Sequence, residues 1–260
     1  MKSIHLKPPL FLQVLTILCL FPSALASSKT LLIPSTSFNS TTTLNTYWSL
    51  NYPWGTDHNG AARMSPSQVT TSSDGTTLNL TAHRVTGQKP ATHGGKQIPI
   101  KYLSGAIHAK QHFTITSSSA VTGYDFSAEF RAPVAKGTWP AFWLTAVNGW
   151  PPEIDMAEWK GSGKISFNTF NTSSQVMARD VVYGPNGSEK EWHRVLCEVR
   201  RDVRNGGSGK DVEVRFWMDG RLVVTQWGRG WKGRRVRLVL KRTLCTKSGI
   251  LRSGAMVTEK

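Results

Sequence analysis

The sequence predicts an all-β fold, a sandwich or jelly roll of antiparallel sheets. Three observations predict it. Apolar residues alternate with period two over many short runs, as half-buried strands require. Gly, Pro and Asn separate those runs, and nowhere does a 3.6-residue apolar period last long enough for a major helix.

The N-terminus reads as a targeting segment. Lys2 and Lys7 precede an apolar run over residues 10–20, and Ala24-Leu25-Ala26 supplies small residues for a cleavage after Ala26. That run falls short of the about 20 apolar residues that span a bilayer. Residues 1–26 are thus expected to be a secretory signal, which leaves no membrane segment after cleavage. Residues 27–46 are rich in Ser and Thr and read as an extended lead-in. No linker or repeat divides the remaining chain, so one domain is expected over residues 47–230, as a monomer. Residues 231–260 form an atypical basic tail.

Within the domain, Thr77-Leu78-Asn79-Leu80-Thr81-Ala82 alternates cleanly. Strand-like runs recur at 105–115, 124–131, 139–146, 164–170, 192–200 and 212–217. Asp219-Gly220 joins the last of these to a run over 221–226, and both turn residues tolerate positive φ. Sequons at Asn39, Asn79, Asn171 and Asn186 suit a secreted glycoprotein. Cys19 leaves with the signal, so Cys197 and Cys245 could pair in an oxidising compartment, though two cysteines make no framework. No Cys/His cluster has metal-ligand spacing.

The formal charge of +16 raises the question of nucleic acid. Its distribution excludes that reading: nine Lys or Arg and one Glu lie in residues 231–260, so half the excess sits in the tail. The remainder is scattered, with no nucleic-acid motif beside it.

Glu153-Ile154-Asp155-Met156-Ala157-Glu158 places three acids in six residues. In a regular strand Glu153 and Asp155 share a face, while Glu158 points the other way. A β-bulge at Met156 or Ala157 would return Glu158 to the first face. Three carboxyls on one face repel each other, which suits chemistry better than structure. Retaining glycosidases need two carboxyls about 5–5.5 Å apart, one nucleophile and one acid/base. Three strand positions separate attachment points by about 10 Å, which a bulge and leaning side chains shorten. Asp155 between them can help keep the acid/base protonated. The alternative is a solvated acidic strand edge. Upstream, alternation in Trp139-Pro140-Ala141-Phe142-Trp143-Leu144 puts Trp139, Ala141 and Trp143 on one face. Phe142 and Leu144 then face the core. The two tryptophans are either plates for sugar rings or ordinary core, whereas Trp159 reads as core.

Gly137-Thr138-Trp139-Pro140-Ala141-Phe142-Trp143-Leu144, followed by Glu153-Ile154-Asp155-Met156-Ala157-Glu158, resembles glycoside hydrolase family 16. That family includes laminarinases, lichenases and related endo-β-glucanases and transglycosylases, and its E-x-D-x-x-E motif is the bulged form. Weaker similarity runs from Trp54-Gly55-Thr56-Asp57-His58-Asn59-Gly60 through Asp219-Gly220. The resemblance implies a concanavalin-like β-jelly roll with a sugar-binding cleft across one sheet. It implies Glu153 as nucleophile, Asp155 as its helper and Glu158 as acid/base, with Trp139 and Trp143 as subsite aromatics. Asn168 resembles a position on the next strand that lines the cleft. His58 and Asn59 resemble a loop of the fungal-type members, a plain hydrogen-bonded loop being the equal alternative. The implied reaction is retaining endo-hydrolysis of a β-1,3/1,4-type glucan without a cofactor. A transglycosylase shares the same residues, and a non-catalytic lectin-like protein is the alternative from another class.

Two features depart from the family. Pro152 stands before Glu153 where many members have Gly. After about Gly230 the resemblance stops, where closing strands are expected. The expectation is therefore a non-native tail, exposed strand edges and low stability.

Overall fold

The computed structural model describes residues 30–114, 122–133, 135–183, 191–202, 210–231, 233–241 and 249–259. The signal segment, the Asn186 sequon and Cys245 lie outside them. The N-terminal part supplies β1 (Thr30–Ile33), α1 (Thr41–Tyr47), β2 (Trp48–Leu50), β3 (Ala62–Met64), β4 (Val69–Thr71), β5 (Thr77–Leu80) and β6 (Ala82–Arg84). A hairpin of β7 (Ala91–His93) and β8 (Lys96–Ile98) follows, then β9 (Tyr102–Ser104), β10 (Ala106–Thr114) and β11 (Gly123–Arg131). The middle of the chain forms β12 (Ala141–Ala146), β13 (Glu153–Glu158), β14 (Lys164–Phe170) and β15 (Val176–Val182). The last third forms β16 (His193–Arg201), β17 (Lys210–Met218), β18 (Arg221–Arg229), β19 (Arg235–Lys241) and β20 (Gly249–Glu259).

Two antiparallel sheets carry the fold. One runs β15-β14-β13-β12-β19-β10-β2 and bears the cleft; the other runs β18-β17-β16-β11-β20-β5-β4, with β1 added beside β20. Period-two alternation builds the core between them. Phe142 and Leu144 of β12, Ile165 and Phe167 of β14, and Val195, Cys197 and Val199 of β16 all turn inward into one cluster. The hairpin between β17 and β18 turns at Asp219 and Gly220, with φ of 50° and 77°, as the Asp-Gly pair required. Cys197 is a buried thiol within this core.

Two expectations are corrected. Residues 30–46 are not an extended lead-in: they form β1, a short 3₁₀ turn and most of α1. Ile33, Phe38 and Leu44 are buried in the main core. Ser40 caps α1, its Oγ accepting from the Thr43 N–H at 3.0 Å. Ser and Thr around these widely spaced anchors dilute the apolar signal.

The tail is the larger correction. β19 lies between β12 and β10, and β20 lies between β11 and β5, so each fills a central place in its sheet. Val236, Leu238 and Leu240 alternate into the core, and Trp231 is buried beside them. The cations that obscured this pattern occupy the opposite face: Arg235 is exposed and Arg237 meets the His112 ring. With both places filled, the reason for expecting open edges and low stability disappears. Leu238→Ala should cost about 2–5 kcal/mol of stability in denaturant unfolding. Arg235→Ala should stay within about 0.5 kcal/mol. Equal small effects would mean that β19 does not pack as a central strand.

Candidate active site

One extra residue organises the site. On β12, Thr145, Trp143 and Ala141 pair with Glu153, Asp155 and Glu158, and the register shifts between Phe142–Ala157 and Trp143–Asp155. Met156 is the unpaired residue, the bulge expected there. Ile154, Met156, Ala157 and Trp159 all enter the core, so the three acids share the opposite face. Four register steps, rather than three, separate Glu153 from Glu158, about 13 Å at about 3.3 Å per residue. Side-chain lean therefore has to close more of the gap than the sequence suggested.

Three cross-strand rows follow from the pairing. Glu153 is flanked by Phe170 and Thr145, with Arg237 beyond Thr145. Asp155 is flanked by Asn168 and Trp143, with Val239 beyond. Glu158 is flanked by Ser166 and Ala141, with Lys241 beyond Ala141. The cleft over these rows has a volume of about 870 Å³.

Each acid has fixed partners. Trp150 Nε1 donates to Glu153 Oε2 at 3.1 Å. Asn168 Nδ2 donates to Asp155 Oδ2 at 2.9 Å. Glu158 accepts from Trp139 Nε1 and pairs with Lys160 Nζ at 2.7 Å. Burial pushes the Glu153 carboxyl up to about 7. The Trp150 bond opposes that shift, neighbouring Glu158 reinforces it, and Lys241 and Lys160 oppose it. Burial, then Glu158 and Glu153, hold Asp155 well above the usual carboxylate range.

The structure brings together most of the residues expected at the site. Trp139 and Trp143 line the cleft, as do His58 and Asn59. Trp143 is only 5% exposed and touches Trp54 edge-on at 5.9 Å, so it is cleft floor as much as plate. Burial depresses the His58 imidazole to about 4, helped by Lys241 and His93. Asn168, paired with Asp155 across the strands, is buried and donates to that carboxyl. Sequence reasoning missed two exposed tryptophans in the cleft, Trp54 at 47% and Trp150 at 46%. Trp54 stacks on Tyr52 at 5.0 Å, and Trp150 leans on Phe170 at 5.8 Å. The proline-flanked loop of Trp150 gives no period, and Trp54 sits in a turn. Lys241 was missed inside the supposed tail.

Residues 57–195 match the family model of the glycosyl hydrolases family 16. The chain belongs to that family. It is a glycoside hydrolase, of the endo-β-glycanase class, and its substrate is a polysaccharide. A galactan endo-β-1,3-galactanase of Flammulina velutipes is 44% identical over 218 residues, covering 84% of this chain and 82% of the relative. The family 16 fold is equally visible in solved structures. An endo-1,3-β-glucanase from Streptomyces sioyaensis superposes with a TM-score of 0.62 at 17% identity, covering 83% of this chain and 90% of that one. The κ-carrageenase from Pseudoalteromonas carrageenovora gives a TM-score of 0.61 at 16% identity, covering 92% and 98%.

The raised Glu153 carboxyl makes stability depend on pH. A carboxyl that titrates near 4.5 unfolded and about 7 folded stabilises fully below 4.5. That contribution is lost as pH rises through 7. From pH 4.5 to 8 the melting temperature of wild type should fall relative to that of Glu153→Gln. Identical slopes in the two proteins would mean that Glu153 titrates normally.

Proposed function

We propose that this family 16 hydrolase is a secreted enzyme that cleaves β-1,3-linked galactan internally with retention. Glu153 serves as nucleophile and Glu158 as acid/base. The observation that carries the pairing of the two glutamates is the bulged register, which sets both on one face of an aromatic cleft, and the division of roles between them follows the family 16 motif. Galactan replaces the glucan expected from sequence because the 44% identical relative is named a galactanase and matches over most of both chains. The glucanase likeness, at 17% identity, speaks only for the fold.

In the first step Glu158 protonates the leaving oxygen while the Glu153 carboxylate attacks the anomeric carbon. In the second, Glu158 takes a proton from water as the glycosyl ester is hydrolysed. An ion pair with Lys160 and a hydrogen bond from Trp139 fix the Glu158 carboxyl in the cleft. The Lys160 side chain is 52% exposed, so solvent screens that ion pair. Asp155, whose carboxyl burial holds above the usual carboxylate range, lies between the glutamates. Trp54, Trp143 and Trp150 offer ring faces to the apolar C–H faces of successive sugars.

A screen of linear β-1,3-galactan, laminarin and barley mixed-linkage glucan, with product lengths recorded, should show internal cleavage of galactan. Glu158→Gln should lower kcat by about 10²–10⁴-fold. Glu153→Gln should abolish turnover, and Asp155→Asn should keep more activity than either. Early proton NMR should show β-anomeric product first. Initial α product would refute double displacement, and longer oligosaccharides would indicate transglycosylation. Binding without turnover would indicate a lectin.

A further inference from the structure

Lys241 takes no part in the two chemical steps of the double displacement. It lies at the C-terminal end of β19 and its side chain lines the cleft. It is only 5% exposed, and among the described residues no carboxylate pairs with it. Its ammonium sits 3.8 Å from the Trp139 ring centroid and 5.5 Å from that of Trp143. Cation–π attraction of this kind is strongest where water is excluded.

The register explains how it reaches the acids. Lys241 and Glu158 are both paired to Ala141, one on each side. Ala141 has no side chain beyond Cβ, and Ala106 on the far side of Lys241 is equally small. Two strand spacings, about 9.5 Å, therefore separate Lys241 and Glu158 at the backbone, with only the Ala141 Cβ on the strand between them and the Trp139 indole touching both side chains. Thr145 and Trp143 fill the corresponding places in the Glu153 and Asp155 rows.

We propose that Lys241 is a positioning residue, whose fixed ammonium stabilises the carboxylate charge that the glutamates need for catalysis. This rests on the roles given to Glu153 and Glu158. Burial pulls Lys241 down to about 8, while Glu158, Asp155 and Glu153 hold it up, so it is charged at neutral pH. The same charge lowers Glu153. Other charged groups around the triad are already committed. Lys160 pairs with Glu158, Arg237 meets His112, and Asp57 pairs with Arg63. Asp180 accepts from Ser166 Oγ at 2.7 Å, and His108 Nδ1 lies 3.0 Å from the Asn51 carbonyl. His58, beside His93, is neutral above about 4.

The test is the pH dependence of kcat/KM for wild type, Lys241→Met and Lys241→Arg. Met keeps the unbranched stem and removes the charge. Its acid limb should move up by about one pH unit, with the largest loss of rate at acid pH. Arg should keep the wild-type limb at a reduced rate. An unmoved limb in Lys241→Met, or the same upward move in Lys241→Arg, overturns the proposal. If those profiles are unmoved while Glu153→Gln is inactive and Glu158→Gln is slowed as expected, the carboxyl roles stand and only Lys241 is misassigned. If the glutamate variants stay active, the fault lies in the roles themselves. Should Lys241→Met fail to fold, NMR titration of the Lys241 ammonium in wild type and Glu153→Gln decides the matter. Coupling is reciprocal, so loss of the Glu153 charge should lower the Lys241 pKa. An unchanged value overturns the proposal.

Discussion

Side-chain parity in β13 is the constraint on which the rest of the site depends. A strand has only two faces, and one inserted residue changes which face every later side chain meets. Met156 is that residue, and it leaves Met156 and Ala157 both in the core. Before it, Ile154 faces inward and Asp155 outward. After it, Glu158 faces outward and Trp159 inward. Without the bulge, Glu158 would enter an apolar core and Trp159 would enter the cleft. The cost of burying an unpaired carboxylate there makes the bulged register the one the core can accept.

Placing three acids side by side is unfavourable in itself, and the surroundings offset it unevenly. Asp155 is the deepest, and burial raises the cost of its charged form. Its hydrogen bond from Asn168 fixes its orientation more than its charge. Glu158 receives an indole N–H and an ammonium, which fix its position. Glu153 receives one indole N–H from a tryptophan that is itself half exposed. Two chemically identical side chains thus meet different environments, and different environments let identical acids take different tasks.

Much of this was legible in the sequence, and the failures have physical causes. The acidic segment could be read because parity is a counting argument, and counting shows that only a bulge unites the acids. The strands over 77–80, 124–131 and 164–170 were legible for the same reason, although the first run was read through Ala82 and breaks at Thr81. The N-terminal segment was not, because Ile33, Phe38 and Leu44 anchor it at spacings that match no single period. The tail was legible but misread. Val236, Leu238 and Leu240 alternate correctly, yet the interleaved Arg235, Arg237 and Lys241 masked the pattern with charge. Polar residues on one face of a central strand are ordinary when that face lines a wet cleft. Trp54 and Trp150 were illegible for a different reason: both sit on loops, where direction is set by tertiary packing.

The same register that unites the acids also determines what a sugar meets beside them. Across β12 the three rows present Thr145, Trp143 and Ala141 in turn next to the carboxyls. The central row is filled by an indole, which gives a flat apolar surface at the level of Asp155. The Glu158 row has a gap at Ala141, and the indole of Trp139 and the stem of Lys241 come together around it. In the proposed binding mode, a sugar packed against this aromatic surface would have its C–H face desolvated against carbon while its ring edge and glycosidic oxygen face the carboxyl row. Binding through one face thereby orients the bond to be broken toward the other, and such orientation is itself a large part of catalysis. The aromatic residues and the acids are thus one device, because each paired row fixes an acid on β13 against its neighbour on β12. A substitution that shifted the β12–β13 register by one residue would lose both together.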